Sequence, residues 1–151
     1  MKTQKFFFVS FFLMFLLVQP CFAQDISVHK MIGKKQSDVI RHYGKPVHRD
    51  KSNPAMDCMF YRTKSKRLTF VADQDGVYQA EATASYTTKK KARRVLDDFI
   101  SSSVTDNFNV DTVSVNDFVL HESGVYVQLQ MCENKISKKY ELRVKAHRTE
   151  D

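Results

Sequence analysis

One strand candidate limits the fold more than any other segment of the chain. Between Val77 and Tyr86 the side chains alternate with the period of two that is typical of a β-strand. One face carries Tyr78, Ala80, Ala82, Ala84 and Tyr86, and the other carries Gln79, Glu81, Thr83 and Ser85. A row of three alanines lets a neighbouring element approach the strand closely. We therefore expect a helix to pack against the alanine face.

The first 23 residues have the pattern of a secretory signal peptide. Two lysines precede a run from Phe6 to Val18 in which one residue is polar, and small residues precede the bond after Ala23. The run is shorter than the roughly 20 residues that a membrane-spanning helix needs. We therefore expect cleavage after Ala23 and a periplasmic or secreted protein. A retained membrane anchor and acylation at Cys21 are the alternatives, and Pro20 argues against acylation.

Removal of the leader leaves residues 24–151, which fit one ordinary domain or two small units that share a core. The leader holds two of the 24 Lys and Arg residues and none of the 17 Asp and Glu residues, so the mature chain carries 22 bases, 17 acids and a formal charge of +5. This mild charge favours solubility or an anionic partner. Export argues against nucleic acid as that partner.

The first half of the mature chain predicts one helix and three strands. Residues 24–33 show no periodicity and are expected to form a loose lead-in. A helical pattern from Lys35 to Tyr43 ends at Gly44, and Pro46 prevents its continuation. The predicted strands are Asp57–Arg62, Arg67–Ala72 and Val77–Tyr86.

The segment Asp73-Gln74-Asp75-Gly76 predicts a hairpin turn between the last two of these strands. It also has the opening of a calcium-binding loop. Ala82 stands where such a loop needs its bidentate Glu, so the pattern favours a turn over a metal site.

The second half repeats the order of one helix and three strands. A helix is predicted from Lys89 to Val104 because its apolar residues recur every three or four positions, at Ala92, Val95, Leu96, Phe99, Ile100 and Val104. The predicted strands are Val110–Leu120, Val125–Met131 and Tyr140–Ala146. The whole pattern predicts an α+β fold of two αβββ units, 34–86 and 87–151, with antiparallel sheets and the helices on one side.

The segment from Ile32 to Pro46 resembles the start of the SmpA/OmlA family of small, BamE-like envelope proteins. The positions that match are Gly33, Asp38, Val39, Gly44 and Pro46. Lys34 and Lys35 depart from the family, which has an apolar residue and a capping Thr there. Tandem units are similar to the fold of beta-lactamase inhibitor proteins. Together these resemblances imply a protein-binding scaffold in the cell envelope, and they transfer no functional residue.

Two sets of side chains are candidates for a binding patch. The first is a basic run at the start of the second helix, where the helix dipole disfavours cations, formed by Lys89, Lys90, Lys91, Arg93 and Arg94. One interpretation of this basic run is a solvated surface in which its arginines pair with Asp97 and Asp98. The other is a site that binds an anionic protein surface or lipid headgroups. The second set is Tyr126, Gln128 and Gln130 on the polar face of a strand, which is an ordinary outer face or a protein-recognition surface.

Cys58 and Cys132 are the two cysteines outside the leader, and export to an oxidising compartment makes them a candidate disulfide. Alternation argues the other way. Cys58 shares a face with Met56 and Phe60 that is expected to be buried, whereas Cys132 lies opposite the apolar face of its strand. The pairing is left open by the sequence.

No catalytic or cofactor pattern accompanies these residues. The five histidines are scattered, no Cys-x-x-Cys occurs, and the chain has no Gly-x-Ser-x-Gly or phosphate-binding loop. We therefore expect a non-enzymatic exported scaffold for protein binding, without metal or cofactor. The alternatives are a small periplasmic ligand-binding or hydrolytic α+β domain and an electrostatic adaptor on an anionic membrane surface.

Overall fold

An antiparallel sheet of eight strands forms the body of the protein, which a computed structural model describes over residues 25–150. The predicted signal peptide and its cleavage site lie outside the described residues. The strands are β1 His48–Asp50, β2 Asp57–Arg62, β3 Lys66–Asp73, β4 Gly76–Tyr86, β5 Asn109–Thr112, β6 Asp117–Glu122, β7 Val125–Asn134 and β8 Lys139–Arg148. Their order across the sheet is β1-β2-β3-β4-β8-β7-β6-β5. The helices are a 3-10 turn Val28–Met31, α1 Gln36–Tyr43 and α2 Lys89–Thr105.

The expected α+β fold of two αβββ units is wrong. β4 pairs with β8 from Gln79 opposite His147 to Tyr86 opposite Tyr140, so one continuous sheet, rather than two, crosses the molecule. Each helix is followed by four strands instead of three. The protein is therefore a mostly-β structure in which both halves of the chain contribute four neighbouring strands to the same sheet.

The two extra strands have little signal in the sequence. β1 consists of three exposed polar residues and has no apolar alternation. β5 and β6 fall inside the single candidate Val110–Leu120, because Val113 and Val115 extend the apolar pattern across the turn between them. Both valines are exposed in the structure, so they mark a turn rather than a strand interior.

The alanine face of β4 is covered as the sequence predicts. Ala80, Ala82 and Ala84 are buried, and Ala82 lies between Leu68 of β3 and Val144 of β8. Both α2 and the 3-10 turn pack against β4 and β8. The side chains that α2 buries are Ala92, Leu96, Phe99 and Ser103. Among the described helices none is both long and apolar enough to cross a bilayer.

The alternation of β4 breaks near its beginning. Val71 faces Gln79 while Ala72 faces Val77, so Tyr78 is an extra residue in the ladder. Val77 is fully buried as a result, and Tyr78 is only partly buried. The sequence pattern placed Tyr78 with the alanines, and the bulge puts Val77 there instead.

The segment before α1 is packed rather than loose. Ile26 and Val28 are buried in the core, and the 3-10 turn contacts β4. The amide of Gly33 donates to the carbonyl of Val77 at 2.7 Å, and the amide of Val77 donates to the carbonyl of Lys34 at 2.8 Å. Gly76 has a φ of +113°, and a Cβ there would lie 2.8 Å from the Lys34 oxygen, so this close approach requires glycine.

Helix α1 begins and ends where the sequence predicts. The Asp38 carboxylate accepts a hydrogen bond from the Lys35 amide at 3.3 Å, which is half of a capping box. The helix stops at Gly44, whose φ is +81° and whose amide donates to Ile40 at 2.8 Å. Tyr43 packs on Phe70 of β3, with 5.1 Å between ring centroids, and so holds α1 against the first half of the sheet.

His29 is buried in an aromatic cage. It is 3% exposed and lies 4.9 Å from the ring of Phe99 and 5.2 Å from that of Phe108, between centroids. Neither of its ring nitrogens has a hydrogen-bond partner in the described structure. Loss of solvation, with a smaller effect of the Lys30 charge, lowers the pKa of His29 from 6.5 to about 4.

Replacing Ala82 with leucine is expected to destabilise the protein by about 1–3 kcal/mol, because added methyl groups must fit between β4 and α2. Gln79→Leu introduces the same side chain on the opposite face of β4 and is expected to change stability by less than about 0.5 kcal/mol. Urea unfolding of both variants measures the difference. Equal effects would show that the alanine row does not control this packing.

Stability is expected to fall as the pH drops from about 6.5 to 4, because unfolded His29 binds a proton that the folded cage rejects. The stability that is linked to unprotonated His29 is present in full above pH 6.5. About 3 kcal/mol of this free energy of unfolding is lost by pH 4. Urea unfolding of His29→Phe between pH 4 and pH 6.5 should no longer show this loss. The exposed His48→Gln is the control and should retain the loss. An unchanged pH profile in His29→Phe would contradict the assignment.

Candidate functional site

The face of the sheet opposite α2 is the candidate functional surface, and we call it the open face. Its residues alternate with the buried ones and are at least partly exposed over most of the sheet. In the central strands it consists of Gln79, Glu81, Thr83 and Ser85 on β4, Arg143, Lys145 and His147 on β8, and Tyr126, Gln128 and Gln130 on β7. The predicted set Tyr126, Gln128 and Gln130 therefore lies on the uncovered side of the protein.

A shallow depression of about 380 Å³ lies on this face beside β7. Gln128 pairs with Lys145, and Gln130 pairs with Arg143, so two amides alternate with two cations. Val119 and the 68% exposed Val113 add apolar surface at one side. The depression thus combines amide, cationic and apolar groups with one carboxylate, that of Asp117.

The two cations of the depression differ in availability. Arg143 donates from Nη2 to Oε2 of Glu141 at 2.8 Å, and Asn134 donates to the other oxygen at 2.8 Å. These hydrogen bonds hold the pKa of the 5% exposed Glu141 below its usual value. Lys145 forms no ion pair within residues 25–150, so its charge is available to a ligand.

An aromatic pair extends the depression along the open face. The rings of Tyr126 and His147 lie 4.9 Å apart at an angle of 37°. His121 is opposite Tyr126 on β6 and is exposed. Nδ1 of His121 lies 3.5 Å from Asp111, so the observed ring contact is that of Tyr126 with His147.

The basic run lies on the other side of the molecule. Lys89, Lys90 and Lys91 are exposed in the first turn of α2, where the Lys91 amide donates to Thr88 Oγ1 at 3.3 Å. Since α2 covers the alanine face, these lysines and Gln128 cannot contact one surface of a small partner at the same time. The structure therefore separates the two sets of candidate patch residues.

The arginines of the basic run have different surroundings. Arg93 donates to Asp97 at 3.0 Å, which is the predicted helical pair, and its Nη1 donates to the carbonyl of Val115 at 2.8 Å. Arg93 thereby connects α2 to the turn between β5 and β6. Arg94 is exposed and forms no ion pair among the described residues.

Cys58 and Cys132 are unbridged. They lie on β2 and β7, which are four strand spacings apart, or about 19 Å, whereas a disulfide needs about 5.5 Å between Cα atoms. The expectation that they occupy unlike faces is also wrong, because both belong to the open face. On β2 the buried residues are Asp57 and Met59 instead of Cys58.

A second cleft, of about 620 Å³, opens at the end of the sheet where α1 begins. Its lining includes Gln36, Asp57 and Asp73. Arg49 donates from Nε to Asp57 at 2.8 Å, and this hydrogen bond lowers the pKa of Asp57. Asp73 accepts a hydrogen bond from Arg148 at 2.9 Å. It is the last residue of β3 and begins the predicted hairpin turn, after which β4 starts at Gly76. Two acids of this cleft, Asp57 and Asp73, are thus paired with arginines, and a third, Asp75, is exposed.

Sequence reasoning found part of the open-face site. In the predicted strand Tyr140–Ala146, Arg143 and Lys145 alternate with the apolar Leu142, Val144 and Ala146, and this pattern puts the two cations on the outward face. Their position beside Gln128 and Gln130 follows from the hairpin register of β7 and β8, which the turn near Asn134 indicates. Val119 and Val113 have no comparable signal, because their segment was expected to be one irregular strand.

No family profile and no curated protein sequence matches the chain. Among solved structures, it is similar to an extracellular protein containing a SCP domain from Bacillus anthracis, with 14% identity and a TM-score of 0.44 over 80% of this chain and 46% of the other. It is also similar to a cysteine-rich secretory protein from Staphylococcus aureus, with 11% identity and a TM-score of 0.40 over 76% and 44%. The chain therefore spans less than half the length of each.

The resemblance to SmpA/OmlA and BamE-like proteins is wrong. The fold is one eight-stranded sheet instead of two αβββ units, and no family profile matches the chain. The similarity to tandem-unit inhibitor folds fails with the two-unit prediction. The motif positions instead have local roles, such as the positive φ of Gly33 and Gly44.

Both cysteines are expected to react as thiols. Alkylation of the unreduced protein in denaturant should add two labels, and mass spectrometry counts them. Without denaturant Cys58 should react slowly, because burial raises the pKa of its thiol. A product without labels, two mass units lighter than the dithiol, would reveal a bridge and contradict the strand order.

Proposed function

We propose that this is an exported, non-enzymatic protein that binds a protein partner through the open face of its sheet. The observation that carries the proposal is the depression beside β7, where two glutamines and two cations meet apolar side chains. These residues are Gln128, Gln130, Arg143, Lys145, Val113 and Val119. The leader sequence that ends at Ala23 supports export. The partner would meet this face in the periplasm or outside the cell.

The composition of the open face supports a protein partner. Tyrosine and arginine are enriched among the residues that dominate protein interfaces, and Tyr126 and Arg143 lie on adjacent strands here. Lys145 supplies an unpaired cation and the glutamines supply donors and acceptors. The depression has a volume of about 380 Å³, near the lower end of the range for small-molecule pockets, which suits a side chain of a partner.

The state of the nearby acids supports a non-enzymatic role. Asp117 accepts a hydrogen bond from Ser114 Oγ at 2.6 Å, and this bond lowers its pKa. Glu141 is held by Arg143 and Asn134. Both carboxylates are ionised hydrogen-bond acceptors at neutral pH, whereas a general acid needs a raised pKa.

The larger cleft favours a second candidate, a ligand-binding or hydrolytic domain. Its volume of about 620 Å³ would admit a small molecule. Asp57 and Asp73 would then have to exchange their arginine partners for the ligand. Mass-spectrometric detection of a small molecule that copurifies with the protein and is lost in Gln36→Ala would favour this candidate.

A photo-crosslinking amino acid at position 128 is expected to capture the partner in envelope extracts as one adduct of constant mass. The adduct should decrease at least about tenfold when Tyr126→Ala is added, since an interface tyrosine often contributes 2 kcal/mol or more. Immunoblotting of the exported protein measures the yield.

The same crosslinker at Arg94 is the matched control, because this exposed residue lies on the α2 side. It should give no adduct of that mass. Adducts of equal yield from both positions, or none from position 128, would rule out the open face as the binding surface.

A further inference from the structure

A second group of cations lies on the open face, at the hairpin that joins β2 and β3. Arg62 and Arg67 are directly opposite each other in the ladder. Arg67 is also opposite Thr83 of β4, which in turn is opposite Arg143 of β8. Three arginines and a threonine thus form one row across four strands.

The row opens into a small cleft of about 140 Å³, which we call the hairpin cleft. Its lining is Arg62, Thr63, Lys64, Ser65, Lys66, Arg67, Thr83 and Ser85. The Ser85 amide donates to the carbonyl of Ser65 at 2.8 Å and fixes the hairpin tip beside β4. The cleft is therefore part of the ordered sheet rather than of a loose loop.

The cleft presents hydrogen-bond donors without an acid of its own. Arg62, Lys64 and Arg67 are exposed and have no carboxylate partner within the described residues. In the same part of the chain the side-chain hydroxyls of Thr83 and Ser85 form no hydrogen bond. The carboxylate of Glu141, which is directly opposite Ser85, is already bound by Asn134 and Arg143.

Such an arrangement is unfavourable in the absence of an anion. Like charges directly opposite on neighbouring strands destabilise a sheet. Arg62 and Arg67 have this relation, and the charge of Arg67 extends far enough to lower the pKa of Glu141. An oxyanion between the two guanidinium groups would remove the repulsion and accept several charge-assisted hydrogen bonds.

We propose that the hairpin cleft binds a phosphate group, carried by a small phosphate ester or by a lipid headgroup. The guanidinium groups of Arg62 and Arg67 would hold two of its oxygens, and Lys64 with the hydroxyls of Thr83 and Ser85 would bind the others. This site can be tested separately from the protein-binding role proposed for the depression beside β7, because the linings of the two have no residue in common.

Titration of the exported protein with inorganic phosphate at constant ionic strength tests the proposal by NMR. Saturable shifts of amide signals are expected at residues 62–67 and 83–85. Arg62→Gln or Arg67→Gln should weaken binding about tenfold each, which is the usual effect of losing one charge-assisted bond. The double variant should abolish the shifts and should unfold at the same or a higher temperature, because it removes a like-charge pair.

Lys89→Gln combined with Lys90→Gln is the matched control, since it removes two charges from the α2 side. Phosphate shifts should persist in it at unchanged affinity. Equal loss in both double variants would show a response to net charge and would overturn the site. Absence of saturable shifts in the unmodified protein, together with absence of arginine-dependent vesicle binding, would overturn it as well.

Vesicles separate the two sources of the phosphate group. Sedimentation with vesicles of phosphatidylglycerol and phosphatidylcholine, against phosphatidylcholine alone, measures headgroup binding. Binding that the arginine double variant loses and the lysine double variant retains would support the site with a lipid headgroup. Phosphate shifts without vesicle binding would support it with a soluble phosphate ester. Neither result depends on whether the crosslinker at position 128 captures a protein partner, so the two proposals can fail separately.

Discussion

The close contact between the alanine row of β4 and the elements above it is the constraint on which the rest of the structure depends. Ala80, Ala82 and Ala84 lie near the middle of the sheet, where β4 meets β8 and the two halves of the chain join. Small side chains there let α2 and the 3-10 turn cover the junction. Without that cover, the pairing of β4 with β8 would leave the apolar face of the sheet exposed to solvent.

Covering one face leaves the other for recognition. Since successive residues of a strand point to opposite sides, burial of Leu142 and Val144 on β8 forces Arg143 and Lys145 outward. The register of β7 then sets Gln128 and Gln130 beside these cations. The central part of the candidate binding surface is thus a direct consequence of which residues build the core.

The local periodicity of the sequence predicts both α-helices and most of the strands. It does not predict which strands pair with each other across the sheet. The helix from Lys89 was predictable because its apolar residues recur at helical spacing. β1 was not, because three exposed polar residues carry no period. Whether the halves form two sheets or one depends on contacts between β4 and β8, which are distant in sequence. Cys58 was misplaced for a related reason, since Arg49 lets the polar Asp57 occupy the buried side of β2.

The segment from Ile32 to Pro46 resembles a family motif because its residues have local structural roles, rather than because the proteins are related. Gly44 ends α1 with a positive φ, and Gly33 turns the chain so that its amide reaches Val77. Any chain that ends a helix and then enters a sheet benefits from glycine at such positions. The arginines of the hairpin cleft differ in this respect, because neither core packing nor backbone geometry requires them. In this protein, residues that lower stability and have no structural role, such as these arginines, therefore indicate function better than the glycines that shape the backbone.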